Sequence, residues 1–391
     1  MTTRMLKAQR GVITDEMQKI ARKENLSAKF VRDEIAAGRI VILNNKRKEL
    51  KNPIALGKKL RTKVNAEITC GFEDDADVKK ADKLRVIQTA KADCVSDLSY
   101  IKKENEYIIC ENAKVSNGIY PLFQVQKNNI DDSCLKDEIF SLIEQQCNSG
   151  VDFVCLPCSI NKNLLEEFFL ENRLSDIVSP SVKKVVDFIL NTEQENPFYE
   201  YFDELLEILF KYDVTLFLEY SFKSGSVIDN FDNIQLQELA IISKLIKKAH
   251  KKGVQVVLEG IGHTSMDKIP NLIKTINQVL SGIPLYISSC FVCDAVINHD
   301  DMVNFVGASC CANLGIAMIN STARFNYEFQ YSISQIKKAI VNAQIVAHCA
   351  DFALGNTSAY RQSYKVAYAR KNKDYKNVIK NSIDKTIFDE H

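Results

Sequence analysis

A repeated alternation of short apolar runs and longer amphipathic stretches begins near Lys63 and constrains the fold more than any other feature of the sequence. Each apolar run has the length of a buried strand, and each stretch between the runs is long enough for a helix. Parallel neighbouring strands need such long connections, so the pattern predicts parallel strands joined by right-handed crossovers. The predicted strands are Val64–Ile68, Cys94–Leu98, Ile119–Phe123, Phe153–Leu156, Ile177–Ser179, Thr215–Leu218, Val254–Leu258 and Leu285–Ser288.

Eight strand and helix units over roughly 250 residues are the size of a (β/α)8 TIM barrel. A doubly wound open sheet would show a similar alternation and is the alternative at this point. We predict an α/β protein with a (β/α)8 TIM barrel at residues 63–320. A small N-terminal α+β domain at residues 1–62 should precede the barrel, and a C-terminal helical segment at residues 321–391 should follow it.

The N-terminal domain begins with helix signals. Thr14 and Ser27 are good N-cap residues ahead of two amphipathic segments, and Gly38 is a good residue to end the second helix. The apolar run Arg39–Leu43 should then form a short strand.

Charge and hydropathy narrow the class of protein. The 51 basic residues nearly balance the 50 acidic ones, which argues against a general nucleic-acid-binding protein. No apolar run approaches the length of a membrane-spanning helix, and the basic start Met1–Gly11 lacks the apolar stretch of a secretory signal. We expect a cytoplasmic protein that binds neither nucleic acid nor membrane. Twelve cysteines without an export signal indicate a reducing compartment, as in an anaerobe.

Polar and thiol residues concentrate where the predicted strands end. In a TIM barrel the chemistry takes place at this end of the strands, in the loops that follow them. A purely structural domain would not require such residues there. The residues at these strand ends, most of them polar or thiol, are Glu67, Thr69, Asp97, Ser99, Phe123, Pro157, Cys158, Ser179, Ser181, Glu219, Lys223, Glu259, His263, Cys290, Cys293 and Asp294.

The segment Val254–His263, which contains Glu259-Gly-Ile-Gly-His263, resembles the E-G-P-G-H strand and loop of the phosphomethylpyrimidine synthase family. That family consists of radical S-adenosylmethionine enzymes that rearrange aminoimidazole ribotide into the thiamine pyrimidine. The resemblance extends from about residue 7 to the end and implies the family's (β/α)8 barrel behind a small N-terminal domain. Further matching segments are Gly11–Met17, Glu24–Ser27, Phe30–Glu34, Lys63–Ala66, Asp97–Ser99, Gly118–Gln124, Gly150–Phe153, Gly225–Ser226 and Ala347–Asp351.

The sequence departs from this family in its cysteines. Family members have a C-terminal C-x-x-C-x-x-x-x-C motif whose [4Fe-4S] cluster binds and cleaves S-adenosylmethionine. The sequence has no cysteine after Cys349 and ends at His391. We therefore expect residues 321–391 to lack the cluster domain. We also expect the chain to hold no iron–sulfur cluster of its own and to be unable to cleave S-adenosylmethionine alone.

The substrate-binding positions implied by the resemblance are also changed. Glu259 and Tyr286 are retained, but the family's S-R-G phosphate loop reads Ser179-Pro180-Ser181 and the arginine of D-G-L-R is a lysine. Loss of that arginine removes a bidentate phosphate contact. An asparagine of the family becomes a glutamate, whose negative charge would oppose a bound phosphate. Together, the retained and the changed substrate-binding positions are Glu67, Phe123, Ser179, Ser181, Lys223, Glu259 and Tyr286.

Two groups of residues could hold a metal such as zinc or another divalent ion. His263 matches one of the two metal-binding histidines of the family, while the second falls near Tyr327. His299 could replace the missing ligand, or it could be an exposed loop residue, and His263 could be inherited and idle. One ligand does not make a metal site.

The second group consists of two C-x-x-C pairs, Cys155 with Cys158 and Cys290 with Cys293, each at the end of a predicted strand. The four thiols could share a zinc or iron–sulfur centre, or a single pair could be a redox or metal site. They could equally be ordinary buried thiols. The predicted strands are the fourth and the eighth, on opposite sides of the barrel, which argues against a shared centre.

Three functions stay open on this evidence. The chain could be a non-autonomous subunit or partner of a cluster-bearing radical SAM paralogue, in thiamine biosynthesis or in the related synthesis of 5-hydroxybenzimidazole, the lower ligand of some cobamides. It could instead be a competent lyase for aminoimidazole ribotide, with a cluster supplied by another chain. A third possibility is non-radical chemistry at Glu259 and His263. The changed phosphate loop and the missing motif favour the first function, as a homodimer or a heterodimer with the paralogue.

Overall fold

The computed structural model describes residues 2–48, 50, 52–69, 76–99, 113–124, 135–229, 231–296, 299–322 and 332–385. The strands in these residues form a closed barrel and a separate two-stranded sheet. The strands are β1 (Ile40–Leu43), β2 (Ile54–Gly57), β3 (Lys63–Ile68), β4 (Cys94–Asp97), β5 (Ser116–Ile119), β6 (Phe153–Leu156), β7 (Thr215–Glu219), β8 (Val256–Glu259), β9 (Leu285–Ile287) and β10 (Met318–Ser321).

Helices connect the barrel strands and extend the chain at both ends. They are Arg4–Gln9, Asp15–Glu24, Ala28–Ala36, Ala76–Thr89, Pro121–Gln124, Leu135–Asn148, Lys162–Leu170, Pro180–Thr192, Pro197–Glu200, Phe202–Tyr212, Asn233–Lys252, Ile269–Val279, Asp300–Ala312, Ile333–Ala353, Thr357–Lys371 and Tyr375–Asn381. In the part of the chain that the structure describes, no helix has both the length and the apolar character needed to cross a membrane.

The barrel is closed by eight parallel strands in the order β10-β3-β4-β5-β6-β7-β8-β9. Closure is made by β10 beside β3, where Met318 pairs with Lys63 and Ser321 with Ala66. The α/β class and the (β/α)8 architecture are therefore confirmed, and the open sheet is excluded.

Two of the predicted barrel strands are wrong, and one strand of the barrel was not predicted. The third barrel strand ends at Ile119, and residues 121–124 are helical because Pro121 cannot donate a ladder hydrogen bond. Residues 177–179 form no strand, since Pro180 at the first helical position makes Ser179 the N-cap of the helix Pro180–Thr192. The eighth strand is β10 instead, a short segment with two polar residues and a weak apolar pattern.

The N-terminal residues confirm the predicted caps and add two elements. The Thr14 side chain accepts a hydrogen bond from the Met17 amide, and Ser27 accepts one from Phe30. The helix Arg4–Gln9 and the strand β2 were not predicted. β1 and β2 pair antiparallel and form a ribbon.

This ribbon covers the amino-terminal end of the barrel. Its apolar side chains, among them Val41 and Leu56, pack in one cluster with Phe153 and Phe217 of the barrel interior. The Gln255 side chain, next to the start of β8, accepts a hydrogen bond from the Ile42 amide at 2.9 Å and donates one to the Ile42 carbonyl at 3.1 Å. The opposite end, where the strands finish, is the only end of the barrel that this ribbon leaves uncovered.

Candidate functional site at the carboxyl end of the barrel

Two glutamates on neighbouring strands share one lysine at the barrel mouth. Glu219 ends β7 and Glu259 ends β8, and the two are register partners, so their side chains project on the same side. Both are about 2% exposed. Nζ of Lys223, in the turn after β7, lies 2.9 Å from Oε2 of Glu259 and 3.2 Å from Oε1 of Glu219. A buried ammonium is thus held by two buried carboxylates.

Burial and charge act in opposite directions on this triad. Burial raises the pKa of Glu259, with Lys223 opposing that rise and Glu219 adding to it. Burial alone would lower the pKa of Lys223, but the charges of Glu259 and Glu219 outweigh it and hold the pKa above its ordinary value. Lys223 therefore stays charged at neutral pH, because its ammonium is the counter-ion of both carboxylates.

The two serines that the sequence places in a phosphate loop face this triad. The Ser181 hydroxyl donates to Oε2 of Glu219 at 2.6 Å, and the Ser179 and Ser181 hydroxyl oxygens are 2.8 Å apart. Both side chains are buried. Ser181 therefore binds a carboxylate of the triad directly, and Ser179 contacts that carboxylate only through Ser181.

A second polar group lies across the mouth and includes Glu67. The side-chain amide of Asn320 on β10 donates to Oε1 of Glu67 at 2.8 Å. Asn65 on β3 donates to the Tyr286 hydroxyl at 2.9 Å. Burial raises the pKa of Tyr286, and the charges of Glu67 and Glu259 raise it further. Glu67, Glu259 and Tyr286 therefore lie near one another at the mouth.

Phe123 lies beside this group but in a different element from the one predicted. It is half-buried in the helix Pro121–Gln124, and its ring packs edge-on against Tyr120 with the centroids 5.8 Å apart.

His263 lies on the rim and is paired with an acid. Its Nδ1 is 2.8 Å from Oδ1 of Asp294, and its ring stacks on Phe291 with the centroids 4.9 Å apart. Asp294 also accepts a hydrogen bond from the Val227 amide at 2.8 Å. Burial acts to raise the pKa of Asp294, but the hydrogen bonds from His263 and Val227 outweigh it and hold the pKa below the ordinary value.

The residues around His263 do not fit a complete metal site within the described part of the chain. Among the described residues, three potential ligand atoms lie close together at Cys155, Glu219 and Glu259. No such group of described residues includes His263. His299 is exposed and immediately precedes the helix Asp300–Ala312. The position near Tyr327 lies outside the described residues.

The four cysteines of the C-x-x-C pairs have separate surroundings. Cys155 lies inside the barrel near Glu219 and Glu259, whereas Cys158 packs in the apolar layer outside it. Sγ of Cys290 is 3.7 Å from Sγ of Cys311, on the helix Asp300–Ala312, and Cys293 is half-buried. Because the described residues contain no ligand group made of these four sulfur atoms, the structure does not bring the two pairs to one centre.

Several residues of the mouth were not singled out from the sequence. Asn320 was missed because β10 was missed, and Asn65 lies inside a strand, away from its end. Tyr120 has a buried hydroxyl that no sequence pattern indicates. Glu219 was named from the sequence only as a strand-end residue and not as a substrate-binding position, although it occupies on β7 the position that Glu259 occupies on β8.

Comparison with known proteins identifies relatives along nearly the whole chain. The model of the Radical SAM ThiC family matches residues 3–391. A phosphomethylpyrimidine synthase of Desulforamulus reducens is 35% identical over 390 residues, which cover 98% of this chain and 90% of the relative.

Two relatives come from a single organism. In Moorella thermoacetica, 5-hydroxybenzimidazole synthase BzaB is 31% identical over 98% of this chain and 91% of its own length. From the same organism, 5-hydroxybenzimidazole synthase BzaA is 31% identical over 96% of this chain and 89% of its own length.

Proposed function

The chain belongs to the radical SAM ThiC family, and from this membership we propose that it works as a non-autonomous subunit or partner of a cluster-bearing radical SAM paralogue, in thiamine or benzimidazole biosynthesis. The observation that supports this proposal most directly is the pair of buried salt bridges from Lys223 to Glu219 and Glu259. Lys223 stands where the resemblance places the phosphate-binding arginine of the family.

Electrostatics argues against a phosphate at this position. A phosphate would have to take Lys223 from two carboxylates and would then face both of them uncompensated. Like charges in a desolvated cleft cost on the order of several kcal/mol. The chain would therefore hold a ribotide poorly by the family's route, while Glu259 and Tyr286 keep the family's positions.

The serines of the phosphate loop support the same conclusion. Ser181 donates to Glu219, and Ser179 contacts Ser181. These hydroxyls are used within the protein, whereas a phosphate loop has to present donors to its ligand. Loss of phosphate binding is compatible with a subunit that supports a paralogue and does not turn over the ribotide itself.

The two Moorella relatives support a partner of the same family. One organism keeps two distinct chains that bear the name 5-hydroxybenzimidazole synthase, and this chain is 31% identical to each. Such duplication allows one copy to diverge at its substrate site while it keeps its contacts with the other.

The proposal is tested by anaerobic affinity purification of this chain with the cluster-bearing paralogue of the same genome. We expect a stable complex in which the yield of 5′-deoxyadenosine exceeds that of the paralogue alone. This chain alone, reconstituted with iron and sulfide, should give none above background. Ribotide turnover by the isolated chain would instead establish an autonomous lyase, and failure to form a complex would refute the partner role.

A further inference from the structure

A thiol and two carboxylates converge inside the barrel mouth. Sγ of Cys155 on β6, one oxygen of Glu219 on β7 and one of Glu259 on β8 all lie within 4.8 Å of one another. All three side chains are buried, and they come from three consecutive strands, which fix their positions. We infer that Cys155, Glu219 and Glu259 form a binding site for one borderline transition-metal dication, such as zinc, iron(II) or cobalt(II).

The donor set and its size fit this class of ion. Ligand atoms at about 2.0–2.3 Å from a tetrahedral zinc lie about 3.3–3.8 Å apart. The three atoms here lie within 4.8 Å of one another, so side-chain movements of about 1 Å would bring them to binding distance. A thiolate ligand favours zinc and its neighbours over magnesium or calcium, which take oxygen ligands.

The charge balance also fits a dication. With the Cys155 thiol neutral, two carboxylates and the Lys223 ammonium leave one net negative charge. Metal binding requires the thiolate, so one proton leaves as the ion enters. Three anionic ligands, one ammonium and one dication then sum to zero.

Tyr120 provides an independent indication that this place takes a ligand. The residue is 6% exposed, and its hydroxyl lies against the Cys155 thiol without a hydrogen bond of ordinary geometry. Cys155 and Glu259 are among the groups whose charges act on this hydroxyl, which places it beside the group of three. A buried hydroxyl without a hydrogen bond of good geometry is energetically unfavourable, and a metal ion or its bound water would satisfy it.

Lys223 competes with the metal for the same two carboxylates. Its ammonium must move away from at least one of them when the ion binds, so removal of this positive charge should tighten metal binding. The site differs from the one considered at His263, which lies on the rim with Asp294. It is also independent of the proposed partner function, because it depends on this chain alone.

The test is an anaerobic titration of the reduced full-length chain with cobalt(II). We expect one ion per chain and a near-ultraviolet thiolate-to-cobalt charge-transfer band. Cys155→Ser should abolish the band and weaken binding by more than about tenfold. Lys223→Met should strengthen binding, and zinc should displace the cobalt.

Two control variants keep the test specific. Cys158→Ser changes the other buried thiol of the same C-x-x-C pair, and His263→Ala removes the rim histidine. Both variants should retain the charge-transfer band. If Cys155→Ser does not fold, as judged by circular dichroism, Glu219→Gln replaces it, with weaker binding expected. A wild-type protein without the band, or a band that survives Cys155→Ser or disappears in Cys158→Ser, would overturn the inference.

Discussion

Nζ of Lys223 lies 2.9 Å from Oε2 of Glu259, inside a barrel mouth where both side chains are less than one tenth exposed. Glu219 holds the same ammonium from the adjacent strand. The pairing joins a loop residue to the ends of two strands. It also disfavours anionic ligands at the mouth, because the Lys223 ammonium is already paired with Glu219 and Glu259.

Replacing this lysine should destabilise the protein strongly. Lys223→Met leaves Glu219 and Glu259 buried side by side without a counter-ion, and breaking a buried ion pair costs about 3–5 kcal/mol. Urea unfolding of the metal-free protein at neutral pH measures this loss. Lys248→Met is the matched control, because Lys248 pairs with Asp203 at an exposed position and should cost less than about 1 kcal/mol. Equal losses for both variants would contradict the importance of the buried pair.

Glu238 should make stability fall as the pH rises from about 5 to about 7. Its carboxylate accepts hydrogen bonds from the Ser221 and Phe222 amides, but burial outweighs them and raises its pKa to about 7. In that pH window the folded protein holds a proton that the unfolded chain has released, so rising pH favours unfolding. A glutamate pKa of about 7 in the folded protein lowers the free energy of unfolding by roughly 3 kcal/mol between the acidic and the alkaline side of this window. Urea midpoints of Glu238→Gln should lose this part of the pH dependence, and an unchanged pH profile would be evidence against it.

Gln255→Leu should loosen the β1–β2 ribbon from the barrel. The change removes two hydrogen bonds to Ile42 and leaves buried backbone groups unpaired, at a cost of about 2–3 kcal/mol. Native-state hydrogen exchange at the Ile42 amide should speed up accordingly. Gln237→Leu, at an exposed position of the helix Asn233–Lys252, serves as the control and should leave this amide unchanged.

Alkylation should separate the cysteines by burial. Among the cysteines that the structure describes, Cys349 is exposed and should react first with iodoacetamide, followed by half-buried Cys293 and Cys310. Burial raises the pKa of the Cys94, Cys155 and Cys158 thiols well above their ordinary value, which keeps them in the unreactive thiol form. Mass spectrometry of peptides from briefly labelled native protein measures the order. Early modification of Cys158 would show that the layer outside the barrel opens readily.

The sequence predicted most of the barrel because its strands are apolar runs, but it failed where local and tertiary preferences differ. Ile177–Ser179 looks like a strand, yet Pro180 commits the following residues to a helix. Met318–Ser321 contains two polar residues and becomes a strand only through its pairing with β3 and β9.

The candidate site was predicted in part for a similar reason. Glu259, Lys223 and Ser181 were found because strand ends and the family resemblance mark them. Their partners depend on contacts between distant parts of the chain, such as Asn320 with Glu67, which no local pattern encodes. The capture of Lys223 by Glu219 also required the register of β7 against β8.

As far as the structure describes the chain, the β1–β2 ribbon closes the amino-terminal end of the barrel and leaves the other end open. Whatever reaches Glu259 must arrive past the strand ends, and it must leave by the same route. A partner chain bound over that rim would control both the entry and the exit of a ligand without contributing a residue to the site.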